Sequence, residues 1–259
     1  MTIPSKEELV EEANREVTEF EAKRVTVLYG DYGKRKTTTA CSMVNERGLL
    51  LSSDDSWKVL LNERHKDIYS KIKVFNFGGL SQLEYINFTG YDTIIWDTVS
   101  QSVDNFLDLL YDKGKWSTKS GQTFREHIMP KDKKLPKELE NLEILAPVDY
   151  RVARDALRPA FNKLFKETEA HIIFTSQMTE PFPGLSKDQR NRPSISAATF
   201  KIIATRADII ANLRPSSGGK FIADMSESTL TSLGKSRIEG FQGQMDLDTF
   251  ITRYKELVF

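Results

Sequence analysis

The chain has 259 residues, of which 39% are hydrophobic and 29% charged, so it is long enough to bury one sizeable core. Its 37 lysines and arginines balance 37 aspartates and glutamates, and a net charge of zero gives no overall attraction to nucleic acid or membrane. A single cysteine, Cys41, excludes an internal disulfide framework, and the three histidines lack the spacing of a zinc site. No apolar run approaches the roughly 20 residues that cross a bilayer, and no signal peptide is visible, so we expect a cytoplasmic protein.

The first 23 residues are polar and acidic, and they are predicted to form a helix outside the core. Ser5 and Glu8 form a capping-box pattern at its start. Apolar residues then recur at helical spacing: Leu9, Val10, Ala13, Val17 and Phe20. This stripe would pack either on the chain's own domain or on a neighbouring subunit. We therefore divide the chain into an N-terminal helix, 1–23, and a core, 24–259.

A strand, a basic loop and a helix follow one another at the start of the core. The run from Val25 to Tyr29 is β-branched and apolar, and Thr37 opens a helical segment. The loop between them matches G-x-x-x-x-G-K-[ST] at Gly30, Lys36 and Thr37. In such a loop, backbone N–H groups and the helix N-terminus hold the β-phosphate, the lysine reaches the β- and γ-phosphates, and the Thr hydroxyl binds Mg²⁺. The predicted nucleotide-binding residues are Gly30, Asp31, Tyr32, Gly33, Lys34, Arg35, Lys36, Thr37 and Thr38.

Arg35 stands where this pattern has its second glycine. A Cβ at that position costs on the order of 1 kcal/mol or more if φ is positive. The guanidinium would either hinder the loop or add a third cation at the phosphates. Three interpretations stay open here: a working site, a degenerate loop that binds nucleotide with little turnover, and a basic turn without a ligand.

Carboxylates end two of the later strands. The run Leu49–Leu51 leads to Asp54, and the strand around Ile94 ends in Asp97. Apolar runs without alternation indicate strands buried on both faces of a parallel sheet, whose carboxyl ends carry ligand chemistry in α/β folds. Asp97 fits a Walker B pattern, in which the aspartate holds Mg²⁺ through its water shell. The alternative is that Asp97 caps the helix that follows Thr98.

Further elements alternate along the chain. Helices are predicted from Thr37 to about Arg47 with Gly48 as C-cap, and over Trp57–Tyr69, Ser81–Asn87, Val99–Tyr111, Asp149–Glu169 (kinked or split at Pro159), Ala197–Thr205 and Asp246–Leu257. Strands are predicted at Lys73–Phe77, Tyr91–Thr98, His171–Gln177, Ala207–Leu213 and Lys220–Ala223. Strands that alternate with helices indicate an α/β fold with a mainly parallel sheet.

Two basic segments interrupt this alternation. Residues 113–148 are rich in Lys, Gly, Ser and Pro, which indicates an insertion or mobile arm. With Trp116 and Phe124 among its cations, this segment would meet a polynucleotide or would simply be a solvated loop. Residues 179–195 form the second basic loop, directly after a strand.

In chain order these landmarks resemble the RecA-like P-loop ATPases over about residues 24–245. The resemblance is greatest to phage nucleotide-binding proteins of the RadA and Sak-type single-strand-annealing group. It implies a RecA-like P-loop NTPase core, with a mainly parallel sheet flanked by helices, an N-terminal helix and a basic insertion.

The resemblance also implies catalytic roles. Asp54 lies where RadA-like proteins carry Glu-Glu-Ser, so it would activate the attacking water. Gln177 resembles the glutamine that senses the γ-phosphate. Lys235 and Arg237, in a Lys-x-Arg motif, would reach the nucleotide of the adjacent subunit and stabilise transition-state charge.

The implied cofactors are ATP and Mg²⁺, with Thr37 and Asp97 at the metal. The implied partners are single-stranded DNA, contacted through Lys187, Arg190 and Arg192, and further copies of the chain in a ring or filament. The function would be an ATPase that assists phage-type recombination, annealing or replication in the host cytoplasm. A nucleotide-binding switch or interaction protein with little turnover is one alternative, and a small-molecule kinase with the 179–195 loop as its lid is another.

Overall fold

The structure, a computed structural model, describes residues 23–78, 80–112, 147–179, 191–195, 197–226 and 233–259. The predicted N-terminal helix and most of the predicted 113–148 insertion lie outside these residues, as do Lys187 and Arg190. Within the described ranges, no helix has the length and apolar character needed to cross a membrane.

The core is one sheet whose strands run mainly parallel. Its strands are β1 (Val25–Gly30), β2 (Gly48–Ser52), β3 (Ile72–Asn76), β4 (Thr93–Asp97), β5 (His171–Thr179), β6 (Arg192–Pro193), β7 (Ile209–Pro215), β8 (Phe221–Asp224), β9 (Lys235–Ser236) and β10 (Gln244–Asp246). The spatial order is β10-β8-β7-β1-β5-β4-β2-β3, with β6 on β5 and β9 on β7. Pairing is parallel from β3 to β7 and antiparallel for β8, β10 and the two short strands. The predicted α/β fold with a mainly parallel sheet is confirmed.

Helices cover both faces of this sheet. They are α1 (Lys36–Ser42), α2 (Lys66–Tyr69), α3 (Val99–Asp112), α4 (Pro147–Glu167), α5 (Ala197–Ala204) and α6 (Leu247–Val258), with 3-10 segments at Ser56–Leu61, Glu63–His65 and Leu80–Tyr85. Successive strand residues point to opposite faces, so each strand feeds two cores. One core joins Trp96 and Phe174 to Phe161 of α4, and the other joins Ile95 to Cys41 of α1.

Register decides where the polar strand ends meet. Gly30 of β1 lies opposite Gln177 of β5, and Ser52 of β2 lies opposite Asp97 of β4. Because the strands are parallel, the polar residues that follow β1, β2, β4 and β5 emerge at the same carboxyl edge.

The first helix ends earlier than predicted, at Ser42 instead of about Arg47. Asp92 explains the difference, because its Oδ2 accepts from the backbone N–H groups of Glu46 at 2.7 Å and Arg47 at 2.6 Å. Gly48 is therefore not a C-cap but the first residue of β2. A Cβ on Gly48 would lie 2.8 Å from methyl groups of Val44 and Ile72, so any larger residue there would force these side chains to shift.

Two further helix predictions were wrong in type. The segment predicted as one helix from Trp57 to Tyr69 is two 3-10 segments followed by the single turn α2, and the helix predicted at Ser81–Asn87 is a 3-10 segment over Leu80–Tyr85. The helix predicted over Asp149–Glu169 is confirmed as α4, Pro147–Glu167. Pro159 lies inside this helix and does not split it. The strand predicted at Lys220–Ala223 is confirmed as β8, which pairs antiparallel with β7.

Candidate phosphate-binding site

A cleft of about 640 Å³ opens at the carboxyl edge of the sheet, a volume in the usual range for small-molecule sites. The predicted loop contributes Tyr32 to Thr38, and strand ends contribute Asp54, Thr98 and Gln177. The remaining walls are Ser56, Val59, Arg64 and His65.

Gly30 closes β1 and is required for packing. A Cβ at this position would lie 2.5 Å from the carbonyl oxygen of Leu213 in β7. Close approach of the neighbouring strand β7 therefore excludes a side chain at this position. The positive φ values in the loop fall at Gly33, with φ of 69°, and at Arg35.

Lys36 is the buried cation of the cleft, with 6% of its surface exposed. Its Nζ donates to the carbonyl oxygens of Gly30 at 2.9 Å and Asp31 at 2.7 Å, and to Oε1 of Gln177 at 2.9 Å. Burial lowers the pKa of Lys36 to about 8, although the charges of Asp97, Asp31 and Asp54 act in the opposite direction. The predicted phosphate lysine and the predicted γ-phosphate glutamine are therefore in direct contact.

Asp97 is fully buried at the end of β4, and hydroxyl groups surround its carboxylate. Oδ2 accepts from Thr37 Oγ1 at 2.8 Å and from Ser56 Oγ at 2.6 Å, and Oδ1 accepts from Thr175 Oγ1. Burial raises the pKa of Asp97, and these hydroxyls oppose the rise. A carboxylate beside the Thr37 hydroxyl is the oxygen-donor chemistry that Mg²⁺ prefers, so the residues present fit this metal.

Asp97 does not cap the helix that follows, because Thr98 caps it instead. Thr98 Oγ1 accepts at 3.2 Å from the backbone N–H of Gln101, which lies three residues later in the sequence. This is the geometry of an N-cap at the start of α3. The carboxylate of Asp97 is instead directed to the hydroxyls of Thr37, Ser56 and Thr175.

Asp54 and Asp55 separate clearly in the structure. Asp54 lines the cleft, and its Oδ1 accepts from the backbone N–H of Ser56 at 2.8 Å. Its charge partly opposes the burial that lowers the pKa of Lys36, and it adds to the burial that raises the pKa of Asp97. Asp55 is exposed and pairs with Lys58 at 2.7 Å. Of the two strand-end carboxylates, only Asp54 is thus placed to act on a molecule in the cleft.

Arg35 adopts the left-handed conformation, with φ of 60° and ψ of 18°, directly before α1. For a residue with a Cβ this conformation costs about 1–2 kcal/mol. Its guanidinium carbon lies 4.7 Å from the centroid of the Phe221 ring, a cation–π contact worth about 0.5–1 kcal/mol at an exposed site. Arg35 therefore keeps the backbone geometry expected of glycine, while its cation stacks on an aromatic residue of β8.

Lys235 and Arg237 lie away from this cleft. Lys235 in β9 pairs with Ile210 near the start of β7, at the amino edge of the parallel strands. Its Nζ donates to the carbonyl oxygens of Ala204 at 2.9 Å and Ala207 at 2.7 Å, at the C-terminal end of α5. Arg237 is exposed and donates to Thr205 O at 3.3 Å. Neither residue shares the cleft of its own chain, so their predicted action on a neighbouring site stays a prediction.

Arg192, the described member of the predicted DNA-binding set, is exposed on β6. It pairs with Thr179 of β5, two residues after Gln177. The next residue but one, Ser194, donates its N–H to the Gln177 carbonyl at 2.6 Å. The strand that carries the cleft glutamine is thus bonded directly to the segment that carries Arg192.

Sequence reasoning missed several polar residues of the site. Ser56 and Thr175 hold Asp97, and their signal was present: each is a hydroxyl next to a strand end already marked as polar. Arg64 and His65 line the cleft through a 3-10 segment, and no sequence pattern marked them.

The fold and the site together define a P-loop nucleotide-binding domain. The family of AAA domains matches residues 22–238, and the chain belongs to that family. The predicted P-loop core with a mainly parallel sheet flanked by helices is confirmed, while the closer grouping with phage RadA and Sak-type proteins stays a prediction. A search among curated proteins finds no match. Among solved structures, the chain is similar to the crystal structure of the RadB recombinase, with a TM-score of 0.39, 10% identity, and coverage of 78% of this chain and 79% of that one.

The left-handed backbone at Arg35 makes two substitutions differ in stability. Arg35→Ala keeps the Cβ strain and loses the contact with Phe221, so we expect the free energy of unfolding to fall by about 0.5–1 kcal/mol. Arg35→Gly loses the same contact but relieves the strain, so it is expected to be more stable than Arg35→Ala by about 1 kcal/mol. Urea titration of the unliganded chains measures both, and an Arg35→Ala chain as stable as Arg35→Gly contradicts the strain.

Proposed function

We propose that this chain is an Mg-ATP-binding ATPase that binds single-stranded DNA and assembles as a ring or filament, with ATP at a subunit interface. Its biological role would be in phage-type recombination, annealing or replication. The observation that carries the ATPase part is the convergence of Lys36, Thr37, Asp54 and Gln177 on one cleft, with the buried Asp97 hydrogen-bonded to Thr37. These groups come from four different strand ends, so the loop pattern alone does not explain their meeting.

Each group has a defined task in this proposal. Lys36 binds phosphate oxygens, whose full charge makes them better acceptors than the carbonyl and amide oxygens that it now contacts. Thr37 and Asp97 hold the Mg²⁺ ion, which neutralises phosphate charge when bound. Asp54 orients the attacking water and accepts its proton. Engagement of Lys36 by phosphate would release Gln177, whose backbone is bonded to Ser194.

Turnover depends on Asp54 but not on Asp55. Asp54→Asn is expected to keep MgADP binding and to lower ATP hydrolysis by about 10²-fold or more, because the amide cannot accept the proton. Asp55→Asn is the matched control and should hydrolyse ATP at the wild-type rate, since Asp55 pairs with Lys58 outside the cleft. Lys36→Ala should lose both binding and hydrolysis.

Steady-state hydrolysis, with and without single-stranded DNA, checks these expectations. Tight MgADP binding by a wild-type chain that never hydrolyses ATP contradicts the ATPase and favours the nucleotide-binding switch. The trans role of Arg237 has its own test. Arg237→Ala and Asp54→Asn chains, each inactive alone, should regain hydrolysis when mixed, and a chain that sediments as a monomer with an ATP analogue excludes that role.

The pKa of Lys36 predicts how nucleotide affinity depends on pH. In the unliganded chain the amine loses its proton above about pH 8, and phosphate binds the charged form. MgADP affinity should therefore be constant below pH 8 and fall up to about tenfold per pH unit above it. Lys36→Arg is the control, because its guanidinium stays charged and its weaker binding should not change between pH 7 and 9.5.

The lowered pKa of Lys36 has the opposite effect on folding stability: nucleotide affinity falls above pH 8, whereas stability rises. Between pH 8 and the ordinary lysine pKa of 10.5, the unfolded chain holds the proton that the folded chain has lost. Lys36 therefore makes the unliganded chain more stable as pH rises through this window. Both expectations depend on the lowered pKa of Lys36. A MgADP affinity of the wild-type chain that stays constant from pH 8 to 9.5 contradicts it.

Single-stranded DNA binding is proposed through Lys187, Arg190 and Arg192. Its support is the resemblance together with the exposed position of Arg192, hydrogen-bonded through its strand to the cleft. Changing all three to alanine should weaken DNA binding and reduce the slope of log affinity against log salt by about 2, since each contact with a single strand contributes about 0.7.

A mobility shift over a salt series measures this slope. The matched control changes Lys66, Lys71 and Lys73 to alanine, which removes the same charge from exposed positions near β3, at the far edge of the sheet. Equal affinities for the wild-type and triple-substituted chains show that this loop is not the contact.

A further inference from the structure

Phe221 contacts the one residue that departs from the phosphate-loop pattern. The Phe221 ring lies under the guanidinium of Arg35, which itself has a left-handed backbone and makes no side-chain cap at the start of α1. A left-handed residue followed by a right-handed one directs successive backbone N–H groups to one side, and this arrangement forms an anion-binding nest. Arg35 and Lys36 have these two conformations, so the nest exists only while Arg35 stays left-handed.

The Phe221 ring is held independently of the loop. Phe221 opens β8 opposite Pro215 of β7, and its side chain packs partly into the core beneath α1 and α6. The hairpin before it is closed by Ser216 N–H donating to Lys220 O at 2.7 Å and by Gly219 N–H donating to Ser216 O at 3.0 Å. Farther along the hairpin, Arg214 pairs with the buried Asp224 at 2.8 Å.

A ring fixed in the sheet can therefore select one conformation of an exposed arginine. A glycine at position 35 would adopt positive φ at little cost, and arginine would not. The contact with Phe221 is available to Arg35 in the observed geometry, in which the guanidinium carbon lies 4.7 Å from the ring centroid. Stacking and backbone conformation are consequently coupled.

We infer that Phe221 is a positioning residue for nucleotide binding: it holds Arg35 in the left-handed conformation that the phosphate nest requires, and so compensates for the missing glycine. The inference rests on the proposed nucleotide site, but not on hydrolysis, DNA binding or assembly. It assigns a binding role to a residue of β8, about 190 positions after the loop.

A double-mutant cycle tests this role in the full chain. Phe221→Leu removes the aromatic face and keeps an apolar side chain, and Phe221→Tyr keeps the face. MgADP affinity is measured by calorimetry for the wild-type chain, Phe221→Leu, Phe221→Tyr, Arg35→Gly and the Arg35→Gly, Phe221→Leu double variant. Urea titration of the same chains without nucleotide gives their stabilities.

We expect Phe221→Leu to weaken MgADP binding by roughly twofold to fivefold, the factor that corresponds to one exposed cation–π contact. Phe221→Tyr should bind like the wild-type chain. In the Arg35→Gly background, Phe221→Leu should leave affinity unchanged, because glycine needs no support. A role confined to general stability would instead lower the unfolding free energy equally in both backgrounds and leave the two affinities alike.

Equal loss of affinity from Phe221→Leu in both backgrounds overturns the inference, and so does no loss in either. If no chain binds MgADP, the proposed function fails, and the stability cycle alone decides on the contact. If the contact supports the backbone of Arg35, Phe221→Leu must lower the unfolding free energy more in the wild-type background than in the Arg35→Gly background. Equal losses in the two backgrounds reject the coupling between Phe221 and Arg35.

Discussion

Parallel pairing of β1, β5, β4 and β2 is the constraint on which the rest of the site depends. Parallel strands deliver all their carboxyl ends to one edge, and the observed register places Gln177 beside Gly30 and Asp97 beside Ser52. A shift of one residue would turn each strand-end side chain to the opposite face of the sheet. The apolar residues on both faces prevent that shift, because it would exchange the two cores.

The cleft holds two buried ionisable groups whose pKa values both move toward the neutral forms. Burial lowers the pKa of Lys36 and raises that of Asp97. Their partners are carbonyl and amide oxygens for Lys36 and hydroxyl groups for Asp97, which satisfy hydrogen bonds but do not cancel charge. A phosphate anion and a divalent cation would supply the missing opposite charges. This chemistry supports the proposed binding of a metal-bound phosphate.

Arg35 shows how a departure from a motif is accommodated. The loop keeps a left-handed residue before α1, and the cost of the extra Cβ is partly offset by a contact with a distant strand. The arginine consequently does not prevent the loop geometry. The left-handed conformation at position 35 is supported here by a residue of β8, which lies far from the loop in the sequence.

The sequence by itself determined the α/β fold, the strand–loop–helix at Gly30, and the strand ends at Asp54, Asp97 and Gln177. These features are local: apolar runs, glycines and polar strand ends report on the residues within a few positions of each other. Even local patterns failed where a distant side chain intervened, as when Asp92 took the N–H groups that would have continued the first helix.

Only the tertiary structure decided which strand ends meet, because strand order is not written in any one segment. It placed Ser56 and Thr175 on Asp97, separated Asp54 from Asp55, and directed Lys235 to the end of α5. It also explained the glycine at position 30, since the backbone carbonyl of Leu213 leaves no room for a Cβ there. The sequence supplied the chemistry of the site, and packing between residues far apart in the chain decided its geometry.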